Sequence, residues 1–165
     1  MASEPLIMAI AHTPIGTGGQ DLPEGATERE KGAHVYNVNV TSAVLLTNRL
    51  TPLLEKSKLP KLIFVSSDRG SIQRLLNQQD QHAPLFFYGS SKAAVNHLMA
   101  LYAQRYPKWK VNAVCPGARA TSLNRMDESE DTDPALGAVR VQQLVEEGLN
   151  GVTGTYSNSE GPLPF

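Results

Sequence analysis

Short apolar runs alternate along the chain with longer segments of helical periodicity. Four runs are compact enough for buried strands, at residues 6–11, 61–67, 110–114 and 152–156. Helical patterns lie between and beside them, at residues 42–54, 88–106 and 134–147. Because strands and helices take turns, the pattern predicts an α/β fold with a mainly parallel sheet.

Four segments are harder to assign from their pattern. Thr27 and Glu30 have the spacing of a capping box, which opens a helix. Residues 35–41 then alternate apolar and polar side chains, which taken alone is a strand pattern. Residues 68–84 are polar and Gln-rich, so we predict a loop, and the acidic run at residues 127–133 predicts a solvated turn.

Composition narrows the classes of function. With 165 residues, 41% of them hydrophobic, we expect one domain over residues 1–165. The 15 Lys and Arg nearly balance the 16 Asp and Glu, so no nucleic-acid surface is expected. Residues 6–11 are too short for a membrane span and lack the charged start of a signal peptide. A single cysteine, Cys115, excludes an internal disulfide, and we expect a cytoplasmic protein without a membrane partner.

The candidate chemistry lies where two predicted strands end. Ser66 and Ser67 follow one strand, and the turn at Pro116 and Gly117 follows another. In a parallel α/β sheet, ligands bind outside the carboxyl ends of the strands. The helix that begins near Tyr88 connects these strands, and a right-handed crossover brings its start to the same edge.

Tyr88 and Lys92 are four residues apart and therefore share one face of that helix. A phenol with a pKa of about 10 is a poor acid or base at neutral pH. A nearby ammonium lowers that pKa, and a serine hydroxyl can hold a carbonyl oxygen beside the phenol. The spacing alone is common by chance, and serines after a strand are usually caps. Their joint placement at one edge favours the catalytic interpretation.

These motifs together resemble the short-chain dehydrogenase/reductase family, most closely its fungal-type members. "YGSSK" at 88–92 is similar to the family's Tyr-x-x-x-Lys, and "IFVSS" at 63–67 to its serine strand. "YNVNV" at 36–40 is similar to its asparagine helix, and "CPGARAT" at 115–121 to its nicotinamide segment. The resemblance covers roughly residues 24–165. It implies that residues 35–41 are helical.

The resemblance implies a role for each matching residue. Tyr88 is the general acid or base, and Lys92 lowers its pKa and binds the nicotinamide ribose. Ser67 orients the substrate oxygen, and Asn39 holds a water that links Lys92 to solvent. The segment beside the nicotinamide contributes Pro116, Gly117 and Thr121. The implied cofactor is NADP or NAD, and the implied partner is a small-molecule carbonyl or alcohol substrate. We predict no metal site, because the four histidines show no ligand spacing.

Two departures from the family pattern shape the predicted fold. The family's glycine-rich pyrophosphate turn has no match here: "GTGG" at 16–19 is followed by Asp21 where a third glycine is needed. Residues 6–12 resemble a degraded Asn-Asn-Ala-Gly strand, with Ile10 and His12 in place of the asparagine and the glycine. We therefore expect a truncated, doubly wound, Rossmann-like sheet of about four strands. Its open edge and two long helices predict a homo-oligomer.

Three functions remain open on the sequence. The first is an NAD(P)-linked oxidoreductase using Ser67, Tyr88 and Lys92. The second is a cofactor-independent isomerase, cyclase or dehydratase that reuses these residues, with His12 as a possible addition. The third is a catalytically inactive, truncated remnant. The fungal character of the resemblance suggests secondary metabolism and a hydrophobic or polyketide-like carbonyl substrate.

Overall fold

The protein is built around a five-stranded sheet with strand order β1-β2-β3-β4-β5. The computed structural model describes residues 8–11, 22, 24–77, 85–120, 127 and 129–165. The first four strands are parallel, and the two-residue β5 pairs antiparallel with β4. The strands are Met8–Ala11 (β1), Lys61–Val65 (β2), Lys110–Val114 (β3), Tyr156–Asn158 (β4) and Gly161–Pro162 (β5). This sheet confirms the predicted α/β class with about four main strands.

The longest helical segment contains a wider π-helical turn in its middle. The capping box forms as predicted: the Thr27 amide donates to the Glu30 carboxylate at 2.7 Å, and the Glu30 amide donates to the Thr27 hydroxyl at 3.3 Å. The segment runs through Glu28–Tyr36 (α1), the π-helical turn Asn37–Thr41 and Ser42–Leu54 (α2). The helical interpretation of residues 35–41 is therefore confirmed over their alternating pattern.

Both faces of the interior strand β2 are covered by helices. Leu62 and Phe64 of β2 pack with residues of α2 and α4 (Phe86–Arg105). Ile63 and Val65 point the other way and pack with Leu144 of α5 (Pro134–Glu146). All five residues of β2 are buried. Strands buried on both faces read as continuous apolar runs, which is why the sequence predicted β2 and β3 well.

Two predicted elements were wrong in detail. The predicted loop at 68–84 contains a 3₁₀ turn, Asp68–Gly70, and a short helix, Ile72–Leu76 (α3), capped by the Ser71 hydroxyl. Residues 78–84 lie outside the described residues. The last strand begins at residue 156 instead of 152, because Gly154 adopts φ +70° and turns the chain first.

Three further features of the described residues bear on the predicted fold. The acidic run forms the exposed 3₁₀ turn Glu130–Thr132 where it is described. In the described residues, β1 has a strand partner on one side, β2. No described helix combines the length and the apolar character that crossing a membrane requires.

Candidate active site

The predicted site residues lie at the carboxyl edge of the sheet, where β2 and β3 end and α4 begins. The Ser66 amide donates to the Val114 carbonyl at 2.7 Å, so the two strands stay paired up to this edge. The buried Ser66 hydroxyl donates to the backbone carbonyl of Lys92 at 3.3 Å and thereby fastens α4 to β2. The Ser66 hydroxyl is thus engaged in holding α4 against β2, whereas the half-buried Ser67 lies at the open edge of the sheet.

Tyr88 and Lys92 are both buried on the face of α4 that covers this edge, with 6% and 1% of their surfaces exposed. The Lys92 ammonium nitrogen lies 5.6 Å from the centroid of the Tyr88 ring. It also donates to the Val65 carbonyl, the last of β2, at 3.1 Å. The predicted pair is therefore brought together, with the ammonium beside the ring face.

The pKa values of Tyr88 and Lys92 differ from the expectation. Burial raises the pKa of Tyr88 above its ordinary value, and a hydrogen bond with Ser67 opposes that shift. Burial lowers the pKa of Lys92 to about 8. The expected lowering of the Tyr88 pKa by Lys92 is not seen, because burial of the phenol outweighs the effects of the groups around it. Near neutral pH the phenol therefore holds its proton in this structure.

The Ser67 hydroxyl caps its own turn and also affects the Tyr88 phenol. Its hydroxyl donates to the Asp68 carboxylate at 3.0 Å and accepts from the Arg69 amide at 3.3 Å, which caps the 3₁₀ turn. The same hydroxyl acts to lower the pKa of the Tyr88 phenol, against the larger effect of burial. The cap thus keeps the serine hydroxyl on the side of the predicted acid.

Asn39 lies in the π-helical turn with none of its surface exposed. Its side-chain amide donates to the Ser91 hydroxyl at 2.9 Å, and Ser91 donates to the Tyr88 carbonyl at 2.7 Å. Its side-chain oxygen has no hydrogen-bond partner within the described part of the chain. A buried acceptor without a partner is a place where a water molecule is commonly held.

The segment after β3 is described in part. Gly117 adopts φ +73°, the left-handed region that favours glycine, and so turns the chain immediately after Pro116. Thr121 lies outside the described residues, as do His12 and the "GTGG" stretch. Where the structure is described, no group of three His, Cys, Asp or Glu side chains could hold a metal ion.

Two residues at this edge have contacts that the sequence did not reveal. Gly70 lies so close to α4 that a Cβ atom there would be 2.7 Å from the backbone carbon of Lys92. Cys115 directly follows β3, and its sulfur accepts a hydrogen bond from the Asp68 amide at 3.2 Å. The sequence signal for Cys115 is its position directly after the apolar run of β3.

Comparison with known proteins places the chain among related sequences. The family model for short chain dehydrogenases matches residues 16–132. A short-chain dehydrogenase/reductase of Stachybotrys chlorohalonatus is 33% identical over 156 residues, covering 90% of this chain and 55% of the relative. Another, from Aspergillus fumigatus, is 42% identical over 140 residues, covering 77% and 53%. The chain therefore spans about half the length of these relatives.

Solved structures show the same fold. The NADPH-bound carbonyl reductase from chicken fatty liver superposes with a TM-score of 0.73 at 24% identity, covering 94% of this chain and 64% of that one. A short chain dehydrogenase from Escherichia coli in complex with NADPH gives a TM-score of 0.73 at 23% identity, covering 96% and 65%. On the match to the family model and on these fungal relatives, the chain belongs to the short-chain dehydrogenase family.

Proposed function

We propose that the polypeptide is an NAD(P)-linked oxidoreductase that reduces a small-molecule carbonyl compound or oxidises the corresponding alcohol. The observation that carries this proposal is the burial of Tyr88 and Lys92 side by side at the carboxyl edge of the sheet, where the Ser67 turn also lies. A protonated phenol beside a serine hydroxyl is the arrangement that protonation of a carbonyl oxygen requires.

Each residue has a distinct part in this proposal. Ser67 binds the substrate oxygen, and Tyr88 donates its phenolic proton to that oxygen during reduction. Lys92 stabilises the phenolate that remains, since a cation about 5.6 Å from the ring favours the negative form once water is excluded. The unpartnered oxygen of Asn39 holds a water through which a proton returns to the site.

The donors at this edge fit the nicotinamide end of a dinucleotide. Lys92 would hold the nicotinamide ribose, and the turn at Pro116 and Gly117, with Thr121 beyond it, would contact the nicotinamide. When bound, the cofactor supplies or accepts the hydride at the substrate carbon. The two similar structures named above were solved with NADPH, which supports NADP rather than NAD.

The test is a titration of the purified chain with NADPH and NADH. Binding is followed by thermal stability and by nicotinamide fluorescence, alongside Tyr88→Phe and Lys92→Ala. We expect NADPH to raise the melting temperature of the wild type and Lys92→Ala to weaken binding. Tyr36→Phe is the matched control, because the Tyr36 hydroxyl bonds Ser90 on an exposed surface. Absence of binding by the wild type at millimolar cofactor contradicts the proposal for this chain.

The alternatives have weaker support. The relatives described above are dehydrogenases and reductases, and nothing in these comparisons favours a cofactor-independent isomerase, cyclase or dehydratase. Turnover of a carbonyl substrate without cofactor, lost in Tyr88→Phe, is the result that would favour that second function.

Several sequence predictions stay predictions. They are the single domain over residues 1–165, the cytoplasmic location, secondary metabolism and a homo-oligomer. Exposed leucines on α2 support the last of these: Leu45, Leu46 and Leu53 are all exposed on the helix surface. The predicted assembly places a second copy against this helix, and size-exclusion chromatography with light scattering measures it.

A further inference from the structure

Cys115 lies between the two segments that carry the proposed chemistry. It is the first residue after β3 and is buried, with 7% of its surface exposed. Its amide donates to the Ser157 carbonyl of β4 at 2.9 Å, so its backbone is part of the sheet. The sulfur is therefore a fixed point at the carboxyl edge.

The Cys115 sulfur lies where the serine turn meets the turn after β3. The Asp68 amide, directly after Ser67, donates to the Cys115 sulfur at 3.2 Å. Pro116 and Gly117 follow Cys115 directly in the chain, and Gly117 turns the backbone in the left-handed region. One hydrogen bond thus ties the serine turn to the residue from which the Pro116–Gly117 turn begins.

We propose that Cys115 is a positioning residue, whose sulfur holds the Ser67 turn in register with the Pro116–Gly117 turn. This inference rests on the proposed function for its effect on turnover. The Ser67 hydroxyl bonds within its own turn, to the Asp68 carboxylate and the Arg69 amide. Those contacts fix the shape of the turn but do not fix its position relative to β3. The hydrogen bond between Asp68 and Cys115 is one of the bonds that do.

The chemistry of the thiol fits this role. Burial raises the pKa of Cys115, so the group stays a neutral thiol near neutral pH. A neutral buried thiol is a poor nucleophile and a weak hydrogen-bond acceptor.

A packing role is the competing explanation, because Cys115 belongs to the core cluster that contains Phe64 and Tyr156. Three substitutions separate the two roles. Cys115→Ser keeps an acceptor, Cys115→Val keeps apolar bulk without an acceptor, and Cys115→Ala removes both. Melting temperatures of the three variants establish that each is folded before the site is compared.

The first measurement is amide hydrogen exchange of the peptide covering residues 66–71, read by mass spectrometry, and it does not depend on activity. We expect amide exchange to be about threefold to tenfold faster in Cys115→Val and Cys115→Ala, because each variant loses one hydrogen bond. In Cys115→Ser we expect protection close to the wild type. Wild-type protection in Cys115→Val, or equal loss in Cys115→Ser and Cys115→Ala, overturns the inference.

The second measurement is NADPH-dependent carbonyl reduction by the same variants. We expect kcat to fall about threefold to tenfold in Cys115→Val with KM for NADPH unchanged, and to recover in Cys115→Ser. If the wild type turns nothing over, the proposed function fails while the exchange result still decides the role of Cys115. If exchange changes as expected and kcat does not, the sulfur holds the turn, and its proposed effect on turnover is overturned.

Discussion

Two buried lysines lie at opposite ends of the same strand and serve different purposes. Lys61 begins β2, and Lys92 donates to the carbonyl of Val65, where β2 ends. Each has 1% of its surface exposed, and burial lowers the pKa of each. By burial alone the two residues are indistinguishable.

Their hydrogen-bond partners separate them. The Lys61 ammonium donates to the carbonyls of Leu144 at 2.9 Å and Val145 at 2.6 Å, and also to that of Glu147. These carbonyls end α5, so Lys61 caps the negative end of a helix. Lys92 instead lies beside the ring of Tyr88 at the edge where ligands bind. A buried lysine is therefore assigned by its acceptors and its place on the sheet.

The largest expected effect comes from removing the amine at the open edge. Lys92→Met should lower turnover by about 10²- to 10⁴-fold, the usual contribution of an acid–base group. Its free energy of unfolding should change little, because an apolar side chain suits a buried site. Steady-state kinetics and urea denaturation measure the two quantities. Retained turnover in a folded Lys92→Met would place Lys92 with Lys61, as a structural residue.

The reverse result is expected at the other end of the strand. Lys61→Met leaves the carbonyls at the end of α5 without their donor, which should cost about 2–4 kcal/mol of the free energy of unfolding. Turnover per folded molecule should be unchanged. Lys110→Met is the matched control, since Lys110 begins the neighbouring strand and its ammonium donates to the Gly151 carbonyl at 2.7 Å. We expect a smaller loss there, and equal losses would contradict the capping role.

Titration sharpens the comparison further. The folded-state pKa of Lys92 is about 8, below the unfolded value of 10.5. Between these values the unfolded chain binds more protons than the folded one, so stability rises with pH. The free energy of unfolding of the wild type should therefore gain about 1–2 kcal/mol relative to Lys92→Met between pH 8 and pH 9.5. Denaturant midpoints at several pH values measure it, and a flat or falling difference refutes the depressed pKa.

The smallest expected effect concerns the carboxylate of Glu147, at the end of α5. Burial lowers the pKa of Lys61, the Glu147 carboxylate partly opposes that shift, and the same carboxylate accepts from the Val152 amide at 2.8 Å. Glu147→Gln keeps an acceptor and removes the charge, so stability should fall by less than about 1 kcal/mol. Thermal denaturation at low and high salt checks this value. A loss as large as that of Lys61→Met would show that the charge of Glu147, rather than the Lys61 cap, stabilises this end.

The candidate site was predictable to the extent that its residues follow strand ends. Ser67 and the Pro116–Gly117 turn come directly after continuous apolar runs, and parallel strands bring such positions to one edge. Tyr88 and Lys92 were placed by their helical spacing alone. The pKa of Tyr88 was mispredicted, since the spacing of two residues contains no information on how deeply the helix buries them.

Local patterns failed where a single residue redirected the chain. The alternation in residues 35–41 resembled a strand until the family resemblance replaced that interpretation, and a π-helical turn is what forms there. The start of α3 depends on one cap, Ser71, inside a polar stretch. The start of β4 depends on the left-handed conformation of Gly154.

The sequence by itself determined the class of fold, the main helices and the two central strands, because periodicity and burial on both faces are properties of local residue order. It also predicted that Ser67, Tyr88 and Lys92 lie at the carboxyl edge. Only the tertiary structure decided that Lys61 is a helix cap and that the Cys115 sulfur accepts from the Asp68 amide. Those contacts link residues 47 or more positions apart, and a hydrogen bond between such residues exists only once the sheet has brought them together.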